Sequence, residues 1–137
     1  MDGSTLSTFD ASLQRCNADP RFLDLFYEAF LASSPKVREK FKNTDFVRQK
    51  RALRASLQLI LLAATGESGG PERYLKDIAT QHSARHLAIG AELYDLWLDS
   101  LLATVQECDP QFTPDVSAAW EAVMMVGIHY MCTRYNQ

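Results

Sequence analysis

Prolines preceded by helix-capping side chains constrain this chain more than any other feature. Asp19-Pro20, Ser34-Pro35 and Thr113-Pro114 each put a side-chain acceptor just before a residue whose fixed φ suits the first position of a helix. Gly70-Pro71 opens a further helix, and Thr44-Asp45 caps one without proline. Gly66 closes the helix before it, and Glu67 to Gly70 reads as a flexible loop. Between these marks the apolar residues recur with a helical period. Phe22, Phe26 and Phe30 follow one another at four-residue steps, as do Leu93, Trp97 and Leu101. Val116, Trp120, Val123, Met124, Gly127 and Met131 share one face of the last segment. No stretch alternates as a strand does, and no hairpin signal appears. The expectation is an all-α chain of six or seven helices with short connections. Its 137 residues suit one domain, residues 1–137, and the 47% hydrophobic content is enough for a core.

Charge and patterning exclude several kinds of partner. A formal net charge of −3 speaks against nucleic acid or an anionic membrane. The densest basic run, Arg48 to Arg54, is broken by apolar residues at helical spacing and reads as a solvated helix face. The longest apolar stretch, Leu57 to Ala64, is too short to span a bilayer, and Met1 to Asp10 is too polar for a signal peptide. Cys16, Cys108 and Cys132 are odd in number, widely spaced and outside any C-x-x-C motif. Reduced thiols in a cytoplasmic protein are expected, with neither disulfide nor zinc site. Trp97, Trp120 and Met124-Met125 serve either the core or a helix-packed interface, so monomer and homodimer both stand.

Three polar residues fall on faces that should be apolar. Gln49 is the polar member of the stripe Phe46, Gln49, Leu53, Leu57, Ile60 and Ala64. His82 continues the stripe of Leu75 and Ile78, and Tyr27 lies beside Leu23, Phe30 and Leu31. Burying an amide, an imidazole and a phenol costs free energy unless each finds a partner. Each has an ordinary account: a hydrogen-bonded histidine at a helix end, a glutamine reaching water, a tyrosine capping a carbonyl. Phe41 likewise reads as a core residue. A cofactor with a polar centre would serve all three polar groups together, and ferrous haem carrying a gas is one such group.

Taken in order, Tyr27, Pro35, Phe41, Gln49, Leu53 and His82 resemble the haem domain of bacterial flavohaemoglobins and their single-domain relatives. The matching stretches are FYEAFLASSP (26–35), QKRAL (49–53), IATQH (78–82), LLATV (101–105) and AAW (118–120). The resemblance implies a globin-like fold of six to eight helices around a pocket for haem b. It gives His82 the role of iron ligand and sets Phe41, Leu53, Ile78 and Tyr94 around the cofactor. Tyr27, Gln49 and Leu53 fall in the distal gas pocket. Three departures stand out. The stretch from Phe41 to Gln49 is shorter than in flavohaemoglobins, and that from His82 to Tyr94 is longer. Tyr135 falls where the family has a glutamate in its last helix. His86, four residues beyond His82, is the rival ligand, and the IATQ match favours His82.

The resemblance implies reversible binding of O2, CO and NO for transport or scavenging. Dioxygen on ferrous iron becomes partly anionic, which suits the Tyr27 hydroxyl and the Gln49 amide as donors. Nitric-oxide dioxygenation would need a separate reductase, since no flavin or nicotinamide segment follows within the chain, and enzyme activity is not the expectation. A gas sensor and a haem-free interaction module are the remaining alternatives.

Overall fold

The structure is a computed structural model and describes residues 1–66, 69–83 and 87–136. Seven helices are found among them: α1 (Gly3–Asn17), α2 (Phe22–Ser33), α3 (Pro35–Lys40), α4 (Phe46–Ala64), α5 (Gly70–His82), α6 (Ala91–Cys108) and α7 (Pro114–Thr133). No strand occurs among the described residues. No helix there is long and apolar enough to cross a membrane.

Most helix starts follow from the capping chemistry. Ser34 Oγ accepts from Lys36 N at 3.1 Å with Pro35 at the start of α3. Thr113 Oγ1 accepts from Val116 N at 3.2 Å ahead of Pro114. Asp45 Oδ1 takes the amides of Val47 and Arg48 at 3.1 and 3.3 Å. Each satisfies amides that the first turn leaves without a helical partner. Asp19-Pro20 behaves otherwise. Helix α2 begins at Phe22 behind Arg21, with no side-chain cap. Asp19 Oδ1 instead accepts from Arg21 N at 2.9 Å, and its carbonyl accepts from Phe22 N at 3.1 Å. The pair therefore builds the turn before the helix, a use to which Asp and Pro are equally suited. Gly66 leaves α4 with φ +75°, and Gly69 enters α5 with φ +97°, a region that β-carbon-bearing residues avoid. Of the loop expected over Glu67–Gly70, Gly70 already belongs to α5, while Glu67 and Ser68 lie outside the described residues.

Helix α1 begins within the polar stretch Met1 to Asp10. Asp2 caps it, accepting from Thr5 N at 2.7 Å, and Phe9, Ser12, Leu13 and Cys16 form its buried face. That spacing is helical, but the flanking polar residues dilute it. Helix α1 packs on α7, α2 on α6, and α4 on both α5 and α7. The fully buried Trp120 joins these layers, with Phe9 at a centroid distance of 4.7 Å and Phe22 at 6.2 Å, both edge-on. Its Nε1 donates to Ser12 Oγ at 2.8 Å. Of the residues undecided between core and interface, Trp120 and Met124 are core, Trp97 is half-buried, and Met125 is exposed. All three cysteines are free, and Cys16 and Cys108 are buried. Gly127 lets α4 and α7 approach: a Cβ there would stand 3.1 Å from Ile60 Cγ1.

A candidate cofactor pocket

Two pairs of elements bring four polar side chains to one cavity. Helix α2 turns Tyr27 inward beside Phe26 and Phe30, and Tyr27 is 4% exposed. The Asp45 cap fixes the start of α4, which places Gln49 within its first turn and Leu53 one turn on. Gln49 lies against the Tyr27 hydroxyl. Burial pushes that phenol up to about 12, and the contact with Gln49 pulls weakly the other way. The hydroxyl therefore keeps its proton, and its capacity to donate, throughout the neutral range.

The other pair is α5 and α6. His82 closes α5, and Tyr94 sits in the first turn of α6. His82 Nδ1 and the Tyr94 hydroxyl are 2.9 Å apart. A carbonyl or carboxylate is the more usual partner for a ligating imidazole, and the residue found here is a phenol. Burial lowers the pKa of His82, which keeps the ring neutral, and raises that of Tyr94, which keeps the phenol protonated. With Nδ1 engaged, Nε2 is the ring nitrogen left for another partner. Tyr135, at the position of the family glutamate, falls in the turn after α7 and does not line the cavity.

Tyr27, Phe41, Gln49, Leu53, Ile78, His82 and Tyr94 all line this one cavity, whose volume is about 370 Å³. That lies within the range of small-molecule pockets. His86 lies outside the described residues. Val37, Lys40, Trp97, Met124 and Met131, none of them among the residues predicted from sequence, line it too. Trp97, Met124 and Met131 were visible as members of apolar stripes. A stripe shows which face turns inward, but not whether it meets side chains or a cavity. Lys40 carried no signal. It stands on the rim, where its Nζ donates to the carbonyl of Leu87 at 2.7 Å and links α3 to the α5–α6 connection. Among the described residues, no three His, Cys, Asp or Glu side chains gather to hold a metal ion.

The family model described as Globin matches residues 24–131. This chain belongs to the globin family. The match takes in α3 to α6 whole and nearly all of α2 and α7, and with them every residue named above as lining the pocket. The globin is also similar to the Pseudomonas aeruginosa protein PA3967, described as structurally highly homologous to a human haemoglobin. The two are 39% identical and superpose with a TM-score of 0.92, over 97% of this chain and 99% of that one. Comparison with curated proteins finds no match.

The pocket fits the cofactor that the family implies. A neutral imidazole with one nitrogen already engaged, a wall of aromatic and aliphatic side chains, and a rim lysine suit in turn a metal, a flat apolar ring system and its carboxylates.

Proposed function

We propose that this globin holds haem b on His82 and binds a diatomic gas (dioxygen, carbon monoxide or nitric oxide) against Tyr27 and Gln49. The observation that carries this reading is the gathering, in one largely apolar cavity, of a half-buried imidazole on a buried phenol and of a second buried phenol beside a half-buried amide. When bound, haem supplies an iron with a coordination position open to the gas. His82 ligates through Nε2, so Nδ1 keeps its proton and donates it to the Tyr94 oxygen. That hydrogen bond fixes the tautomer and the ring plane, and it raises the basicity of the ligating nitrogen. Phe41, Ile78 and Leu53 cover the apolar faces of the macrocycle and exclude water. Lys40 offers a cation to its carboxylates at the rim. Tyr27 donates its hydroxyl proton toward the gas site, and the Gln49 amide holds that hydroxyl in place or donates beside it.

Visible spectra of the haem-loaded protein test the reading. A five-coordinate ferrous form that gives stable oxygen and carbonyl adducts is expected, and a protein that takes up no haem overturns it. Tyr27→Phe then tests the donor. A hydrogen bond to a charged partner contributes roughly 1.5–3 kcal/mol, so oxygen release should speed up by about tenfold or more. Carbon monoxide gathers less charge, and its release should change much less. An unaltered oxygen off-rate removes Tyr27 from the gas site. Tyr94→Phe is expected to keep the haem but to lower the iron–histidine stretching frequency, since Nδ1 loses its acceptor. Resonance Raman spectra of the ferrous form report this directly.

A further inference from the structure

Residues 41–45 make a short connection between α3 and α4, and Phe46 is the first residue of α4. The rings of Phe41 and Phe46 stack at 6.0 Å with 29° between their planes. Phe46 also meets Tyr27 edge-on at 5.4 Å, closer than the 5.9 Å between Tyr27 and Phe41. Phe46 is half-buried, packs against the core and does not line the cavity. It therefore touches two of the aromatic residues that line the pocket without lining it itself. Asp45 caps the start of α4, and Gln49 follows Phe46 by three residues on the same helix face. One helix start thus holds the Tyr27 ring through Phe46 and faces its hydroxyl with Gln49.

We infer that Phe46 is a positioning residue, whose ring fixes the orientation of Tyr27 and so aims its hydroxyl at the gas site. The inference rests on the role proposed above for Tyr27. A tyrosine ring pivots about two side-chain torsions, and its hydroxyl swings furthest. Edge-on ring contacts from Phe41 and Phe46 block that swing, and the smaller Phe46→Leu side chain opens one side of the clamp.

The test is the C–O stretch of the carbon monoxide complex, which reports polar groups beside the ligand, read together with the oxygen off-rate. Both are measured for Phe46→Leu, Phe46→Tyr, Tyr27→Phe and the double variant Phe46→Leu/Tyr27→Phe. Phe46→Leu is expected to move the stretch toward its value in Tyr27→Phe and to speed oxygen release by about two- to tenfold. Phe46→Tyr, which keeps the ring, should match the unsubstituted protein. In the Tyr27→Phe background Phe46→Leu should add little, because the group it positions is gone. Phe46→Met serves as the truncation if Phe46→Leu does not take up haem. The inference is overturned if truncation at Phe46 leaves the stretch unmoved, if the tyrosine variant does not restore it, or if the change is as large without the Tyr27 hydroxyl. A silent Tyr27→Phe variant instead overturns the donor role of Tyr27, and is distinguished by that one substitution alone.

Discussion

Replacing His82 by alanine is expected to abolish the histidine-ligated ferrous spectrum and to release haem to an acceptor protein more than about 100-fold faster. Loss of an outer-shell partner alone costs about 10- to 100-fold in metal affinity, and the ligand itself contributes more. The substitution also strands the Tyr94 hydroxyl, whose partner at 2.9 Å is the imidazole. A buried phenol without a partner then adds its own cost. Because the variant leaves a ring-sized gap, added imidazole should restore a five-coordinate spectrum, and this separates loss of a ligand from loss of fold. If the His82→Ala protein keeps a normal ferrous spectrum without imidazole, another side chain holds the iron, and His86 is the first to test. His86→Ala is expected to leave the spectrum unchanged.

Asp109→Ala is expected to be the most damaging single change away from the pocket. The carboxylate of Asp109, wholly buried at the end of α6, takes four hydrogen bonds. Arg15 Nε and Nη2 donate at 2.6 and 2.9 Å, Ser12 Oγ at 2.6 Å, and Gln111 N at 2.8 Å. Through Ser12 the network reaches the indole of Trp120, so α1, α7 and the α6–α7 turn are held by one group. Removing one partner of a buried ion pair costs about 3–5 kcal/mol, and because Arg15 remains partly exposed, about 2–4 kcal/mol is expected here. A thermal midpoint lower by roughly 8–15 °C follows for a chain of this size. A loss below about 1 kcal/mol in urea unfolding would show that water replaces the carboxylate.

The same group sets an acid dependence. Burial alone would raise the Asp109 pKa, but the hydrogen bonds from Arg15, Ser12 and the Gln111 amide outweigh it and leave the pKa below its ordinary value. A depressed folded value means stability that is fully present above the unfolded carboxylate pKa of about 4. It is lost as pH falls from there through the folded value. Asp109→Asn should therefore be less stable at neutral pH and show a shallower loss of stability below about pH 4. Parallel acid slopes for the two proteins would assign the acid sensitivity to other groups.

Local chemistry determined much of this protein by sequence alone. Ser34-Pro35, Asp45 and Thr113-Pro114 start helices because their side chains satisfy amides within the next few residues, and the pattern is complete on a short stretch of chain. The inward faces of α4 to α7 follow from helical periodicity for the same reason. Polar residues at Tyr27, Gln49 and His82 were legible as exceptions on those faces, and their order along the chain carried the family resemblance. Asp19-Pro20 shows the limit of such signals, since the dipeptide suits a turn as well as a helix start, and here it forms the turn.

What only the tertiary structure decided are the pairings between distant residues. Tyr94 meets His82, and Asp109 meets Ser12 and Arg15, across separations that no local pattern encodes. Phe46 read as one more apolar member of the α4 stripe. Its contact with Tyr27 joins α4 to α2 across 19 positions of the chain, beyond the reach of any local pattern. Lys40 reaches the carbonyl of Leu87 from an exposed position that sequence patterning cannot distinguish from any solvated lysine. Side-chain spacing along a helix is set by backbone geometry, which every residue shares. The partner that a buried polar atom finds is set by how whole helices pack, and that is determined by the core as a whole.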